Sequence, residues 1–483
     1  MWGICLLSLG FGARRPEYSA SQESFEIRSL PGAPPISWRQ FAGYIDVGSR
    51  GSLYFWFVES QSAPASDPLL LWTNGGPGCS GLTGFMTEHG PFRPTPHGTL
   101  ELNRYSWNSI ANVLYIEQPV GVGFSRAEGK LKYDDGLAAA DNIRFIKRWL
   151  VTFSQYATNR FFISSESYGG HYMPTLASAL VRDGGVPSFS GLMVGNPLTY
   201  LTYRNFGMYA TYYGHQLIPK PLWDEYVAAD CADAAGLSPG ERCAAITERM
   251  DRMTAGLDPY ALAFPKCNDS QLMAGRHERH TLRATISKAT AAAARASGER
   301  ATGGGYPYFP TDYEPCDSDW AVAYLSRSDV QRAIHARPPA AGNWSACADI
   351  EYSEADVAAP MMPVWRQLLA SNLSRSGSLK LLVFSGDDDA VCATRGSQRW
   401  IWRVADQMGL GEPAPHWEPW TMRDGPGCHL VGGEGPACTQ VAGFATVWRQ
   451  FSFVTVHGAG HLVPATRPAQ GLAVLHNFLN GVW

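Results

Sequence analysis

Ser167 lies in the run Ser165-Glu166-Ser167-Tyr168-Gly169-Gly170, directly after the apolar stretch Phe161-Phe162-Ile163. A helical pattern begins at Tyr172. A strand that turns sharply into a helix lifts a serine hydroxyl above its sheet, and small neighbours keep that turn free of clashes. The G-x-S-x-G form is met in part, because Ser165 stands where the first glycine is expected. Two later segments offer partners of the right type. Gly386-Asp387-Asp388-Asp389 follows the apolar run Leu381 to Phe384, and Gly458-Ala459-Gly460-His461 follows Phe453 to Val456. A serine hydroxyl is a poor nucleophile until an adjacent imidazole removes its proton. A buried carboxylate then orients that imidazole and stabilises its charge. An acidic triplet by itself reads equally well as a cation site or a solvated turn; the serine before it and the histidine after it favour hydrolysis.

A fourth segment, Trp72-Thr73-Asn74-Gly75-Gly76-Pro77-Gly78-Cys79-Ser80, follows the apolar run Leu69-Leu70-Leu71. Glycine-rich backbone after an early strand offers amide donors to a developing oxyanion, and the amide of Tyr168 offers a second. A phosphate loop is the rival reading, but no G-x-x-x-x-G-K-[ST] pattern is present.

Positioning these groups requires strands that end where the chemistry begins. Six apolar runs fit: Leu69 to Trp72, Val113 to Ile116, Phe161 to Ile163, Leu192 to Val194, Leu381 to Phe384 and Phe453 to Val456. Continuous rather than alternating apolar character implies a sheet covered on both faces. Helical patterns between them, at Ala138 to Trp149 and Met173 to Leu180, make a doubly wound, mostly parallel α/β sheet the expected fold. Serine, acid and histidine in that chain order match the α/β-hydrolase arrangement. The expected layout has a core over 21–201 and 319–483, interrupted by an inserted, mainly helical cap over 202–318. Within the cap, 276–305 is basic and rich in Ala and Gly, and reads as an exposed, protease-sensitive linker.

The chain has 483 residues, 39 Lys and Arg against 43 Asp and Glu, and a net charge of −4. With 45% apolar and 17% charged residues it has enough material for a large core, which excludes a mostly disordered chain. The lack of basic excess argues against nucleic acid as the main partner. No run of 18 or more apolar residues suggests membrane insertion. Residues 1–20 begin with a short apolar stretch of signal-peptide length, although it lacks a basic start. Ten cysteines, none in C-x-x-C spacing, speak for disulfides rather than a metal or redox site. Cys231 with Cys243 and Cys428 with Cys438 close short loops, but spacing leaves the connectivity open. Sequons at Asn268, Asn343 and Asn372 add to a secretory-route reading, either vacuolar or lysosomal or extracellular.

Six ordered stretches together resemble the serine carboxypeptidases. They are Trp72 to Ser80, Thr87-Glu88-His89-Gly90-Pro91-Phe92, Asn112 to Ser125, Glu166 to Gly170, Gly386 to Cys392 and Gly458 to Pro464. The resemblance spans nearly the whole chain. It implies Ser167 as nucleophile, His461 as general base and acid, and Asp389, the second working acid of a G-D-x-D pattern, as the triad carboxylate. It implies Gly76 and Tyr168 as oxyanion donors, and Trp72, Asn74, Gly75, Glu88 and Glu166 as the clamp for a substrate's terminal carboxylate. Two carboxyls crowded in a poorly solvated site cannot both ionise, and a protonated one donates a hydrogen bond to a carboxylate. Binding tightest at acid pH follows. The family pattern also implies bridges Cys79–Cys347, Cys231–Cys243, Cys267–Cys316 and Cys428–Cys438, with Cys392 a free thiol beside the site. Ser165, His457 and Gln118 depart from common family residues without removing a catalytic group.

The expected function is release of the C-terminal residue of peptides and proteins through an acyl-enzyme, with no cofactor and no metal. Two alternatives use the same chain: acyl transfer to a non-water acceptor, and a protective or scaffolding subunit with little catalysis. A homodimer is compatible with all three.

Overall fold

The computed structural model of the chain describes residues 16–232, 240–267, 313–339, 342–422 and 439–483. Thirteen strands occur among them. They are β1 (Gln40–Asp46), β2 (Gly51–Val58), β3 (Leu69–Trp72), β4 (Phe92–Pro94), β5 (Leu100–Leu102), β6 (Asn112–Glu117) and β7 (Arg126–Ala127). They continue with β8 (Phe161–Glu166), β9 (Phe189–Gly195), β10 (Lys380–Gly386), β11 (Glu418–Met422), β12 (Gln440–Trp448) and β13 (Phe451–Val456). Eleven form one mixed sheet in the order β1-β2-β6-β3-β8-β9-β10-β13-β12-β11, with β7 on β2; β4 and β5 pair separately.

The centre of the sheet, β6 through β13, is a run of parallel pairs. Those six strands are the six apolar runs of the sequence. Along β3 the side chains divide between faces: Leu69 and Leu71 join the core under the helices Asp135–Thr152 and Gly169–Asp183, while Leu70 and Trp72 join the opposite core with Phe85, Leu475 and Phe478. Burial on both faces is why the runs do not alternate. The antiparallel edge strands β1, β2, β12 and β11 were not among the expected strands. Pro419 is confined to the outermost strand, β11, where a missing amide costs least.

Between β9 and β10 the described chain is helical and irregular. Helices Leu201–Gly214, Lys220–Ala228 and Glu241–Thr254 build a small core of their own from Tyr209, Tyr226, Ile246 and Met250 beside the Cys231–Cys243 bridge. Bridges Cys79–Cys347 and Cys267–Cys316 are also formed. Cys428–Cys438, Asn268 and the 276–305 segment lie outside the described residues. At the end of the segment expected as a leader, Tyr18 hydrogen-bonds Glu59 and Tyr156 at 2.6 Å each and stacks on Phe41.

Candidate active site

The chain leaves β8 and enters the helix Gly169–Asp183 through Ser167, whose φ is +57°. A non-glycine residue in the left-handed region is strained, and the surroundings must hold it there. They do: the Ser167 amide donates to the Gly195 carbonyl at 3.0 Å, and the Ser167 carbonyl accepts from Leu198 at 2.8 Å and Gly170 at 2.9 Å. A Cβ on Gly169 would meet Ser165 Oγ at 2.2 Å, so the serine in place of the usual glycine is accommodated by the glycine four residues on.

Asp389 and His461, 72 residues apart, meet above the sheet. His461 Nδ1 lies 2.7 Å from Asp389 Oδ2, and both side chains are buried. Asp389 also accepts from the Val391 amide at 2.7 Å, the Cys392 amide at 3.1 Å and Asn196 Nδ2 at 2.8 Å. Such donors fix the orientation of the carboxylate. The His461 Nε2 atom is buried and makes no hydrogen bond to any described residue. Ser167 therefore does not bond the imidazole here; its side chain borders the Cys392 thiol. Burial, then Asp389, pushes that thiol's pKa up, so it is neutral beside the serine. Cys392 is free and buried.

Asp387 and Asp388 take structural parts. Asp387 accepts from His457 Nδ1 at 2.8 Å and from the Gly458 amide at 2.6 Å, which fixes the loop leading to His461. Asp388 accepts from the Ala263 amide at 2.8 Å.

The loop after β3 lies against the serine turn. A Cβ on Gly75 would meet the Tyr168 amide nitrogen at 2.5 Å and the Glu166 carbonyl at 2.6 Å, and Gly76 has φ +111°. Only glycine allows that approach and that conformation. The same loop carries Asn74, whose Nδ2 donates to Glu88 Oε1 at 2.9 Å and Glu166 Oε1 at 2.8 Å. Asn74 Oδ1 is held by Trp72 Nε1 at 3.0 Å and by the Gly84 amide at 2.9 Å. All four side chains are buried. Burial raises both carboxyls above their ordinary range; the Glu166 carboxyl is raised further by Glu88 beside it. The second oxygen of Glu88 has no partner among the described residues.

Two contributors escaped the sequence reading. Asn196 follows β9 in no motif; its side chain bridges Asp389 and the Gly386 amide, the latter at 2.9 Å. Tyr260 sits in a stretch with no motif. Its carbonyl accepts from the His461 amide at 2.6 Å, and its ring stands edge-on to the imidazole with centroids 5.1 Å apart.

A largely parallel sheet with a strained serine turn, and an acid and a histidine on later strand ends, defines an α/β-hydrolase-fold protein. The serine carboxypeptidase family model matches residues 31–481. Serine carboxypeptidase-like 34 of Arabidopsis thaliana is 33% identical over 97% of this chain and 91% of its own. Serine carboxypeptidase 24 of the same plant is 32% identical over 99% and 96%. The chain belongs to the serine carboxypeptidase family. The crystal structure of Kex1, a prohormone-processing carboxypeptidase of Saccharomyces cerevisiae, has the same fold, with a TM-score of 0.71, 20% identity and coverage of 96% of this chain and 97% of that one.

Proposed function

We propose that the protein is an acid-favouring serine carboxypeptidase that releases one C-terminal residue at a time from peptides. The observation that carries this reading is the buried Glu88–Asn74–Glu166 cluster beside the His461–Asp389 pair. Hydrolysis alone needs no such cluster; recognition of a free carboxylate does.

In this reading the peptide's terminal carboxylate accepts hydrogen bonds from the Gly75 amide and the protonated Glu pair, while Asn74, held by Trp72, keeps both acids in place. A χ1 rotation moves Ser167 Oγ from Cys392 to His461 Nε2; such bonds are often open before substrate binds. Nε2 takes the serine proton as Oγ bonds the last peptide carbonyl carbon, and the amides of Gly76 and Tyr168 receive the oxyanion. His461 then protonates the leaving amine, the C–N bond breaks, and an ester on Ser167 remains. Water repeats the attack and restores the enzyme. Acyl transfer to another acceptor is less favoured, because both carboxyls of the clamp are retained. Three bridges, with sequons at Asn343 and Asn372 on the described chain, support processing on the secretory route. Among the described residues no helix is long and apolar enough to cross a membrane.

The test is release of the last residue from blocked dipeptides with apolar or basic ends, across a pH series, beside Ser167→Ala and with fluorophosphonate labelling. The expected outcome is Ser167-dependent labelling and turnover fastest below neutral pH. Rates for peptides that climb steadily into alkali would overturn the clamp, and labelling without peptide release would overturn the exopeptidase assignment.

A further inference from the structure

Glu88 ends a single wide helical turn, Gly84–Glu88, and its placement depends on what holds that turn's last carbonyls. Arg93, on β4, reaches back and donates from Nη1 to the Thr87 carbonyl and from Nη2 to the Glu88 carbonyl. Asn103 Nδ2 adds weaker support to the Glu88 carbonyl at 3.3 Å. The same Nη1 also lies 3.9 Å from Asp317 Oδ2. Asp317 opens the helix Asp317–Leu325 directly after Cys316, which is bridged to Cys267. A chain of contacts thus runs from a bridge in the inserted region, through Asp317 and Arg93, to a carboxyl of the clamp.

We propose that Arg93, braced by Asp317, is a positioning residue for the substrate-carboxylate clamp, and that this pair sets the charge under which Glu88 meets its ligand. The proposal rests on the carboxypeptidase reading and deepens it. The guanidinium has two separable effects. Its hydrogen bonds fix the end of the turn from which the Glu88 side chain projects. Its charge favours ionisation of Glu88, against the burial that opposes it. Asp317 acts in the opposite sense as it ionises; burial raises its pKa to about 7, so it offsets that charge only from near-neutral pH upward. The other titratable groups that act on the pair or on Glu88 are Glu166, His461, Tyr115, His89 and Glu314, with Asp389 acting on Glu166.

The test compares full-length wild type, Arg93→Gln, Arg93→Lys and Asp317→Asn, following kcat/KM against pH for a blocked dipeptide and for its C-terminal ester. Arg93→Gln should lose about tenfold in kcat/KM at acid pH, through KM, as expected for a lost charge-assisted hydrogen bond. Its alkaline limb should move up by about half a pH unit, because a cation near Glu88 is gone. Asp317→Asn should move that limb down, and Arg93→Lys should keep it near the wild-type position. The ester, with no carboxylate for the clamp, should show neither shift. Limbs that stay put in both charge variants, or move the same way, overturn the proposal. If Arg93→Gln does not fold, the direction of the Asp317→Asn shift decides alone. A wild type that releases no residue, or that ignores Ser167→Ala, defeats the carboxypeptidase reading instead.

Discussion

Burial does most of the work on Glu88 and Glu166. Both are raised by loss of water, and one amide nitrogen, Asn74 Nδ2, serves both. A raised carboxyl keeps its proton further up the pH scale, so the pair can donate hydrogen bonds at acid pH and loses that ability as it ionises. Replacing both acids, Glu88→Gln with Glu166→Gln, should abolish the fall of kcat/KM on the alkaline side; a pH profile on a blocked dipeptide checks this. Ser167→Ala should cost about four orders of magnitude or more in kcat, with KM little changed. Single-turnover measurements would separate the two. At this scale the candidate residues were legible in the sequence, since Ser167, Asp389, His461, Glu88 and Glu166 all sit inside short, ordered motifs. It could not reach Asn196 or Tyr260, because each contributes through a backbone or amide contact that fixes no motif around it.

The element that most constrains the site is the passage from β8 into the helix Gly169–Asp183. Ser165 fills the space beneath Gly169, and any side chain there collides with it. Gly169→Ala should destabilise the protein by about 1–3 kcal/mol, as overpacking does, and lower activity with it. Adding Ser165→Gly should recover part of both, as read by thermal unfolding and peptide release. The parallel strands were legible because burial on both faces writes itself as unbroken apolar runs. The edge strands were not. β1 and β11 mix polar, glycine and proline residues with apolar ones, and their pairing depends on neighbours far away in sequence. The order of the sheet was beyond sequence for the same reason.

Across the whole molecule, one buried acid outside the catalytic cluster couples fold to pH. Glu117, at the end of β6, accepts from Ser80 Oγ at 2.6 Å, Trp344 Nε1 at 2.7 Å and the Phe124 amide at 2.6 Å. Ser80 and Trp344 flank the Cys79–Cys347 bridge, so Glu117 sits under the join between two distant parts of the chain. Burial pushes its pKa from 4.5 up to about 7 despite those donors. The unfolded chain therefore releases this proton first as pH rises. Stability is full below the unfolded value and falls through the folded one, by about 3 kcal/mol for this group. Thermal unfolding should show Tm declining from acid to mildly alkaline pH, and Glu117→Gln should flatten part of that decline.

The Tyr260 carbonyl on the His461 amide, and the Ala263 amide on Asp388, also bear on how this protein could be re-engineered. Residues 258–264 fall by chain position within the proposed cap, yet they are tied to the loops that carry His461 and Asp389. Transplanting a lid from a relative to change substrate choice would carry off the support of His461 unless the splice points spare this stretch. A graft that leaves 258–264 native should retain turnover, and one that replaces it should cripple the recipient whatever pocket it brings.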